Sequence, residues 1–181
     1  MAKKLDDLTI HNAEFAFKPD FTGTVSDYNR EGKKSFDLVI PTKQMFDDLK
    51  ADGWNVRQWP RDPEPDVDPV YYLNVAVNYK GNRYDPVIWL INESTKRRSM
   101  LDDNTVAQLD ALADSGVITQ VHVIVNPYVY PPTKFKPEGG VKAYCKKMLV
   151  YFQPDDLDSM LEELDRDSAP TESTLFDVDP F

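Results

Sequence analysis

The clearest strand signature in the chain is Tyr71-Tyr72-Leu73-Asn74-Val75-Ala76-Val77-Asn78-Tyr79. Every odd-numbered position in this stretch is apolar or aromatic, whereas the even-numbered positions include two asparagines and an alanine. Because successive side chains of a strand point to opposite faces, this alternation predicts a strand with one buried face. Gly81 and Asn82 follow it and predict a tight turn into another strand. The stretch indicates a β protein.

Similar stretches, rich in β-branched and aromatic residues, lie on both sides of it. They cover residues 8–17, 35–40, 86–92, 117–130 and 141–152. Two short amphipathic segments interrupt the series, one from Thr42 to Gly53 and the other from Asp102 or Asp103 to Gly116, each with a capping side chain at its start and a glycine at its end. We therefore expect a mainly β, antiparallel domain with two short inserted helices that cover its open ends.

Three segments are predicted to be loops. Residues 60–69 alternate prolines with acidic side chains and cannot join a sheet. Residues 21–34 and 131–140 combine aromatic rings with lysine and arginine. Trp54 and Trp59 lie beside arginines and could form a stacking platform, but their position next to a helix end and a proline loop favours a role in anchoring that loop to the core.

Composition disfavours several kinds of chemistry. Cys145 is the single cysteine among 181 residues, and the two histidines are too few for a structural zinc site. The glycine motifs that cradle phosphates, bind dinucleotides or expose a nucleophilic serine are absent. We therefore expect no enzymatic activity and no cofactor. Neither a secretory signal nor an apolar run of membrane-spanning length can be read, which favours a cytoplasmic location.

The net charge of −10 is unevenly distributed. Residues 155–181 hold ten acidic side chains and one basic side chain, Arg166, so residues 1–154 carry 20 basic and 21 acidic side chains. Because the body is close to neutral, its basic residues can form a local positive surface even though the whole chain is acidic.

A stripe of cations and rings is predicted on the strand over 141–152. Lys142, Tyr144 and Lys146 would share its outer face, while Val141, Ala143 and Cys145 face the core. Lysines that follow phosphates and a ring that stacks on a base are what single-stranded nucleic acid requires. An ordinary half-exposed strand would show the same residues, so the two readings stay open. Further cations and rings, at Arg83, Tyr128, Lys134, Phe135 and Lys136, favour the nucleic-acid reading.

The C-terminal residues change character again. Leu157, Met160, Leu161 and Leu164 recur at helical spacing and predict a short helix over 155–166, followed by a disordered segment. The chain then ends Leu175-Phe176-Asp177-Val178-Asp179-Pro180-Phe181. A terminal Phe181 presents a ring and an α-carboxylate together, which suits an apolar pocket flanked by Lys or Arg, and neighbouring acids add electrostatic steering.

This ending resembles the acidic tip of single-stranded-DNA-binding proteins, which is an acidic run ending Ile-Pro-Phe in bacteria and an acidic tail ending in Phe in T7-like phages. A β body with such a tail looks like a phage-encoded member of that class. The resemblance implies an OB-fold-like Greek-key barrel over residues 1–154, an acidic tail over 155–181 and, for a phage protein, a location in the host cytoplasm. Its partner-binding residues would be Phe176, Asp177, Asp179, Pro180 and Phe181.

The function implied is sequence-independent binding and protection of single-stranded DNA, with replication or recombination proteins recruited through the tail. A virion structural or assembly protein with a β-sandwich body is the chief alternative. A metal-dependent nuclease is the third, since Asp47 with Asp48, or Asp102 with Asp103, could hold a metal ion. Oligomeric state is left open, a homo-oligomer included.

Overall fold

The computed structural model describes residues 4–27 and 29–154. Within these residues the chain forms eight strands and two helices. The strands are β1 (Leu8–Ile10), β2 (Lys34–Val39), β3 (Val56–Trp59), β4 (Val70–Val77), β5 (Val87–Asn92), β6 (Arg98–Leu101), β7 (Ile118–Tyr130) and β8 (Gly140–Phe152). The helices are α1 (Lys43–Ala51) and α2 (Gln108–Ser115).

The strands form one sheet that curls into a barrel. Its main path runs β1-β7-β8-β4-β2, with β3 beside β4 and β5 between β8 and β6. The chain after β1 joins the two ends of this path: the Ala13 amide donates to the Val121 carbonyl at 2.7 Å, and Phe15 bridges Leu38 of β2. The apolar side chains of the interior make one core cluster, to which the strands and both helices contribute.

The mainly β architecture with two short inserted helices is confirmed. Every predicted strand is present, but the first is shorter than expected, because the backbone turns at Asn12 into the left-handed region at φ 52°. Two strands, β3 and β6, were missed, since the sequences Val-Arg-Gln-Trp and Arg-Ser-Met-Leu are short and partly polar. The sheet is also mixed, because β8 runs parallel to both β4 and β5.

The helices begin and end for local reasons. Thr42 caps α1 through its hydroxyl, which accepts from the Met45 amide at 3.1 Å, and the helix buries Phe46 and Leu49. Helix α2 starts later than predicted, because the Asp102 carboxylate accepts from the amides at 104 and 105 and holds the chain in a turn. It ends at Gly116 with φ 69°, a conformation that favours glycine.

The faces of β4 and β8 determine which side chains reach solvent. The residues that face the core are Leu73, Val75 and Val77 from β4 and Val141, Ala143 and Cys145 from β8. The outer face therefore carries Tyr72, Asn74 and Ala76 on β4, and Lys142 and Tyr144 on β8. Ala76 and Tyr144 are register partners, so the two outer rows meet there.

Candidate nucleic-acid interface

An open groove of about 390 Å³ lies where β4, β8 and the chain before β2 come together. We call it the Tyr144 groove. It is lined by Glu31, Gly32, Lys33, Lys34, Ala76, Val77, Asn78, Tyr79, Asp103, Lys142 and Tyr144. The small Ala76 side chain lies beside Tyr144 in the sheet, so the phenol ring is not covered by its neighbour on β4.

Two rings and a lysine form the aromatic part of the site. The Tyr144 ring is half-buried, and the Tyr128 ring lies edge-on to it with a centroid separation of 6.3 Å and an interplanar angle of 77°. Tyr128 is 55% exposed. The Lys142 Nζ lies 5.3 Å from the Tyr144 ring centroid. Lys142 and the half-buried Tyr144 ring are thus held close together on one strand.

Two further lysines enter the groove from the chain before and at the start of β2. Lys33 pairs with Glu31 at 2.7 Å, and Lys34 pairs with Asp103. The hydrogen bond from Lys33, and then its charge, lower the pKa of the Glu31 carboxyl, while the same contacts raise the pKa of Lys33. Glu31 and Lys33 are therefore both charged at neutral pH. The groove as a whole places three lysines beside two carboxylates.

Tyr79 adds a hydroxyl at the inner side of the groove. Its oxygen is buried and has no hydrogen-bond partner within the described part of the chain. Burial, and then the nearby acidic groups, raise the pKa of the phenol, so it stays protonated and can donate. The Lys34 Nζ lies 5.8 Å from the same ring.

The comparisons agree with this chemistry. The family model for phage ssDNA-binding domains matches residues 1–173. The chain belongs to this family. A search of curated proteins finds no match.

Two similar solved structures come from bacteriophage Enc34. One is its single-stranded DNA-binding protein in complex with ssDNA, at 11% identity and a TM-score of 0.47, covering 83% of this chain and 87% of that one. The other is a C-terminal truncation of the same protein, at 13% identity and a TM-score of 0.46, covering 83% and 86%.

The structure brings some of the expected binding residues of this phage ssDNA-binding domain together and separates others. Lys142 and Tyr144 line the groove, and Tyr128 flanks it. Lys146 lies outside it, at a bulge where β8 gains one residue over β7, and pairs with Asp7 at 2.7 Å. Arg83 lies on the turn between β4 and β5, where it donates to the Tyr84 hydroxyl at 2.7 Å.

The connection between β7 and β8 holds Lys134, Phe135 and Lys136, all exposed, with Phe135 at 90%. Lys136 lines a second groove of the domain and not the Tyr144 groove. The expected partner-binding residues Phe176, Asp177, Asp179, Pro180 and Phe181, and the expected helix over 155–166, lie outside the described residues.

Sequence reasoning missed several groove residues of the domain. Lys33 and Lys34 were visible only as part of a loop that mixes rings with cations, and nothing in the sequence indicated that Glu31 and Asp103 would meet them. The two tryptophans also differ from the expectation of a shared anchoring role. Trp54 is buried at 5% exposure, but Trp59 is 59% exposed.

The described residues contain neither a membrane-spanning helix nor a cluster of metal ligands. No helix within 4–27 and 29–154 is long and apolar enough to cross a membrane. In the same part of the chain, no group of three or more His, Cys, Asp or Glu side chains is placed to hold a metal ion.

Proposed function

We propose that this phage ssDNA-binding domain binds single-stranded DNA without sequence preference through the Tyr144 groove, and that it coats and protects the strand. The observation that carries the proposal is the pairing of Lys142 with the half-open Tyr144 ring, next to the exposed ring of Tyr128. Stacking of a base on an aromatic ring contributes about 1–3 kcal/mol. Because every base has a π-face, such contacts do not select a sequence.

The lysines of the groove support the same function. Lys33 and Lys142 are both exposed and present ammonium groups at the surface, and phosphates bound there would release counterions. The proposal includes no catalysed reaction: the protein holds the strand and keeps it from pairing and from nucleases.

We further propose that the C-terminal residues recruit replication or recombination proteins. Phe176 and Phe181 supply rings, Pro180 restricts the backbone next to Phe181, and Asp177 and Asp179 supply negative charge. The complementary partner surface is an apolar pocket with Lys or Arg at its rim. Mixing the full chain with replication proteins of its host, with and without residues 170–181, tests this: binding that persists without the tail would contradict it.

Titration of the full chain against fluorescent oligo-dT tests DNA binding. We expect saturable binding that weakens with salt, with a slope of about −0.7 per phosphate contacted on a log–log plot. Tyr144→Ala should weaken binding roughly 5- to 150-fold, and Tyr144→Phe should retain it, because the ring and not the hydroxyl stacks on the base. Tyr151→Ala is the matched control, since Tyr151 is a half-buried tyrosine on the same strand and lies against His122, outside the groove.

Three results would count against the proposal. Equal affinity of Tyr144→Ala and the unaltered chain would remove that residue from the site. Absence of binding at low salt, even after removal of residues 170–181, would favour the virion structural or assembly protein. Metal-dependent cleavage of the oligonucleotide would favour the nuclease.

A further inference from the structure

A second groove, of about 640 Å³, lies between β3, helix α1 and the connection from β7 to β8. We call it the Trp59 groove. Its charged lining residues are all basic, namely Lys50, Arg57, Arg61 and Lys136, and its rings include Trp59 and Tyr72. Among the residues that the structure describes, none of those lining this groove is acidic, in contrast to the Tyr144 groove with its Glu31 and Asp103.

Trp59 does not behave as a core anchor. It is 59% exposed at the end of β3, whereas Trp54, five residues earlier, is 5% exposed and packs in the core. Arg57 is exposed on the same short strand and is the register partner of Tyr72 on β4. An exposed indole beside cations is the arrangement that stacks bases and holds phosphates, because the ring needs no deep pocket and the cations need no fixed partner.

Strand geometry places the two grooves on one surface. Tyr72, which lines the Trp59 groove, and Ala76, which lines the Tyr144 groove, are both on the outer face of β4. The two residues are four positions apart along the strand, or about 13 Å at 3.3 Å per residue. Between them on the same face is Asn74, an exposed amide that donates to the Asp37 carboxylate at 3.0 Å. One extended polymer can therefore contact both grooves without crossing an edge of the barrel.

We propose that the Trp59 groove is a second contact for the same single strand of DNA, with Trp59 stacking on a base and Arg57 and Lys136 holding phosphates. This inference rests on the proposed function. OB-fold proteins cover roughly 4–16 nucleotides per domain, so a path across both grooves falls within the range of one domain. The β7–β8 connection lines the groove through Lys136, an exposed cation that does not reach the Tyr144 groove.

The test is a series of oligo-dT lengths titrated against the full chain and its Trp59→Ala and Tyr144→Ala variants. We expect the affinity of the unaltered chain to rise sharply once the oligonucleotide spans both grooves. Trp59→Ala should weaken binding of long oligonucleotides roughly 5- to 150-fold and abolish that rise with length. Trp59→Phe should recover much of the lost affinity. The control is Met100→Ala, which removes an exposed apolar side chain on a different strand, β6, and should leave DNA affinity unchanged.

The outcomes separate this inference from the proposed function. If Tyr144→Ala weakens binding at every length while Trp59→Ala and Arg57→Glu change nothing, the Trp59 groove is not a DNA contact and the Tyr144 groove remains one. If neither Tyr144→Ala nor Trp59→Ala changes DNA affinity, neither groove is a DNA contact and both proposals are wrong. If a peptide of residues 168–181 binds the body and Trp59→Ala abolishes that binding but not DNA binding, the groove belongs to an acidic peptide and the inference is overturned.

Discussion

Tyr144 is half-buried on β8, and Lys142 lies 5.3 Å from the centre of its ring. The strand holds the ring in place, and the neighbouring Ala76 leaves its face open, so its function depends on the identity of both residues. Individual carboxylates also affect the charge of the groove, because Glu31 and Asp103 each form an ion pair with one of its lysines. If the groove binds DNA as proposed, its affinity reflects a balance between the cations in the groove and the acids beside them.

Replacing Glu31 by glutamine should tighten DNA binding a few-fold. The change releases Lys33 from its 2.7 Å ion pair and removes a negative charge that faces the phosphates. Titration with oligo-dT at low and high salt measures the effect, which should shrink as salt rises. Glu14→Gln, an exposed acid that lines a different cavity, is the control. Weaker binding by Glu31→Gln would show that Glu31 positions Lys33 for the DNA.

Cys145 should make the protein less stable in alkali. Burial raises the pKa of its thiol from 9.0 to about 12. Below pH 9 the thiol is protonated in both the folded protein and the unfolded chain. Between pH 9 and 12 only the unfolded chain loses the proton, so the free energy of unfolding falls as pH rises, by on the order of 1 kcal/mol per pH unit.

Urea unfolding at several pH values, compared with Cys145→Ala, measures this effect. The stability advantage of the unaltered chain over the variant should narrow between pH 9 and 12 and stay constant below that range. A constant difference across the whole series would mean that the thiol ionises equally in both states.

Among the elements, the short ones are the most sensitive to local chemistry. Helix α1 has nine residues and buries two of them, so it gains little from propensity and depends on packing and on its cap. Strand β3 has four residues, but its pairing with β4 brings Arg57 and Trp59 beside Tyr72. A small element therefore forms one side of the Trp59 groove.

Thr42→Ala should destabilise the protein by about 1 kcal/mol, because the Met45 amide loses its hydroxyl acceptor. Thr42→Ser should restore most of the stability, because serine keeps the hydroxyl acceptor. Thr22→Ala is unsuitable as a control, because the Thr22 hydroxyl itself donates to Asp110 at 2.6 Å. Chemical unfolding measures the difference. DNA affinity should not change, since Thr42 lines neither groove.

The whole molecule combines a nearly neutral body with a strongly acidic C-terminal segment. Residues 1–154 carry 20 basic and 21 acidic side chains, and ten acids lie beyond them. The proposed contacts of the groove with DNA would act at short range, whereas the charge of the acids in residues 155–181 acts over the screening length, about 10 Å at 0.1 M salt. Ionic strength should therefore have different effects on the contacts in the groove and on the long-range repulsion from these acids.

Replacing the ten acids of residues 155–181 by their amides changes the net charge from −10 to 0. We expect faster association with oligo-dT at low salt, because the variant repels DNA less, and equal rates near 0.5 M salt. Stopped-flow fluorescence measures both. An acceleration that is independent of salt would indicate that the acids occupy the groove directly and do not act by long-range repulsion.

The β class, the two helices and the outward-facing pair of Lys142 and Tyr144 were predictable from the sequence, whereas the bulge that takes Lys146 out of the groove was not. Alternation at residues 71–79 and 141–146 is a local property, because the faces of a strand repeat every two residues and one face must be buried. Thr42 and Gly116 marked helix ends for the same local reason. Membership of the family was also predictable in outline, through the chain ending and the charge distribution.

The assembly of the site was decided by tertiary structure alone. The pairing of Lys34 with Asp103 joins residues 69 positions apart, and the parallel pairing of β8 with β4 brings Tyr144 to Ala76. Exposure of Trp59 and burial of Trp54 depend on how β3 lies against β4, which no local pattern records. Periodicity specifies which face of a strand is buried, but the neighbour of each strand is chosen by the packing of the whole core, and that choice places the two grooves on one surface.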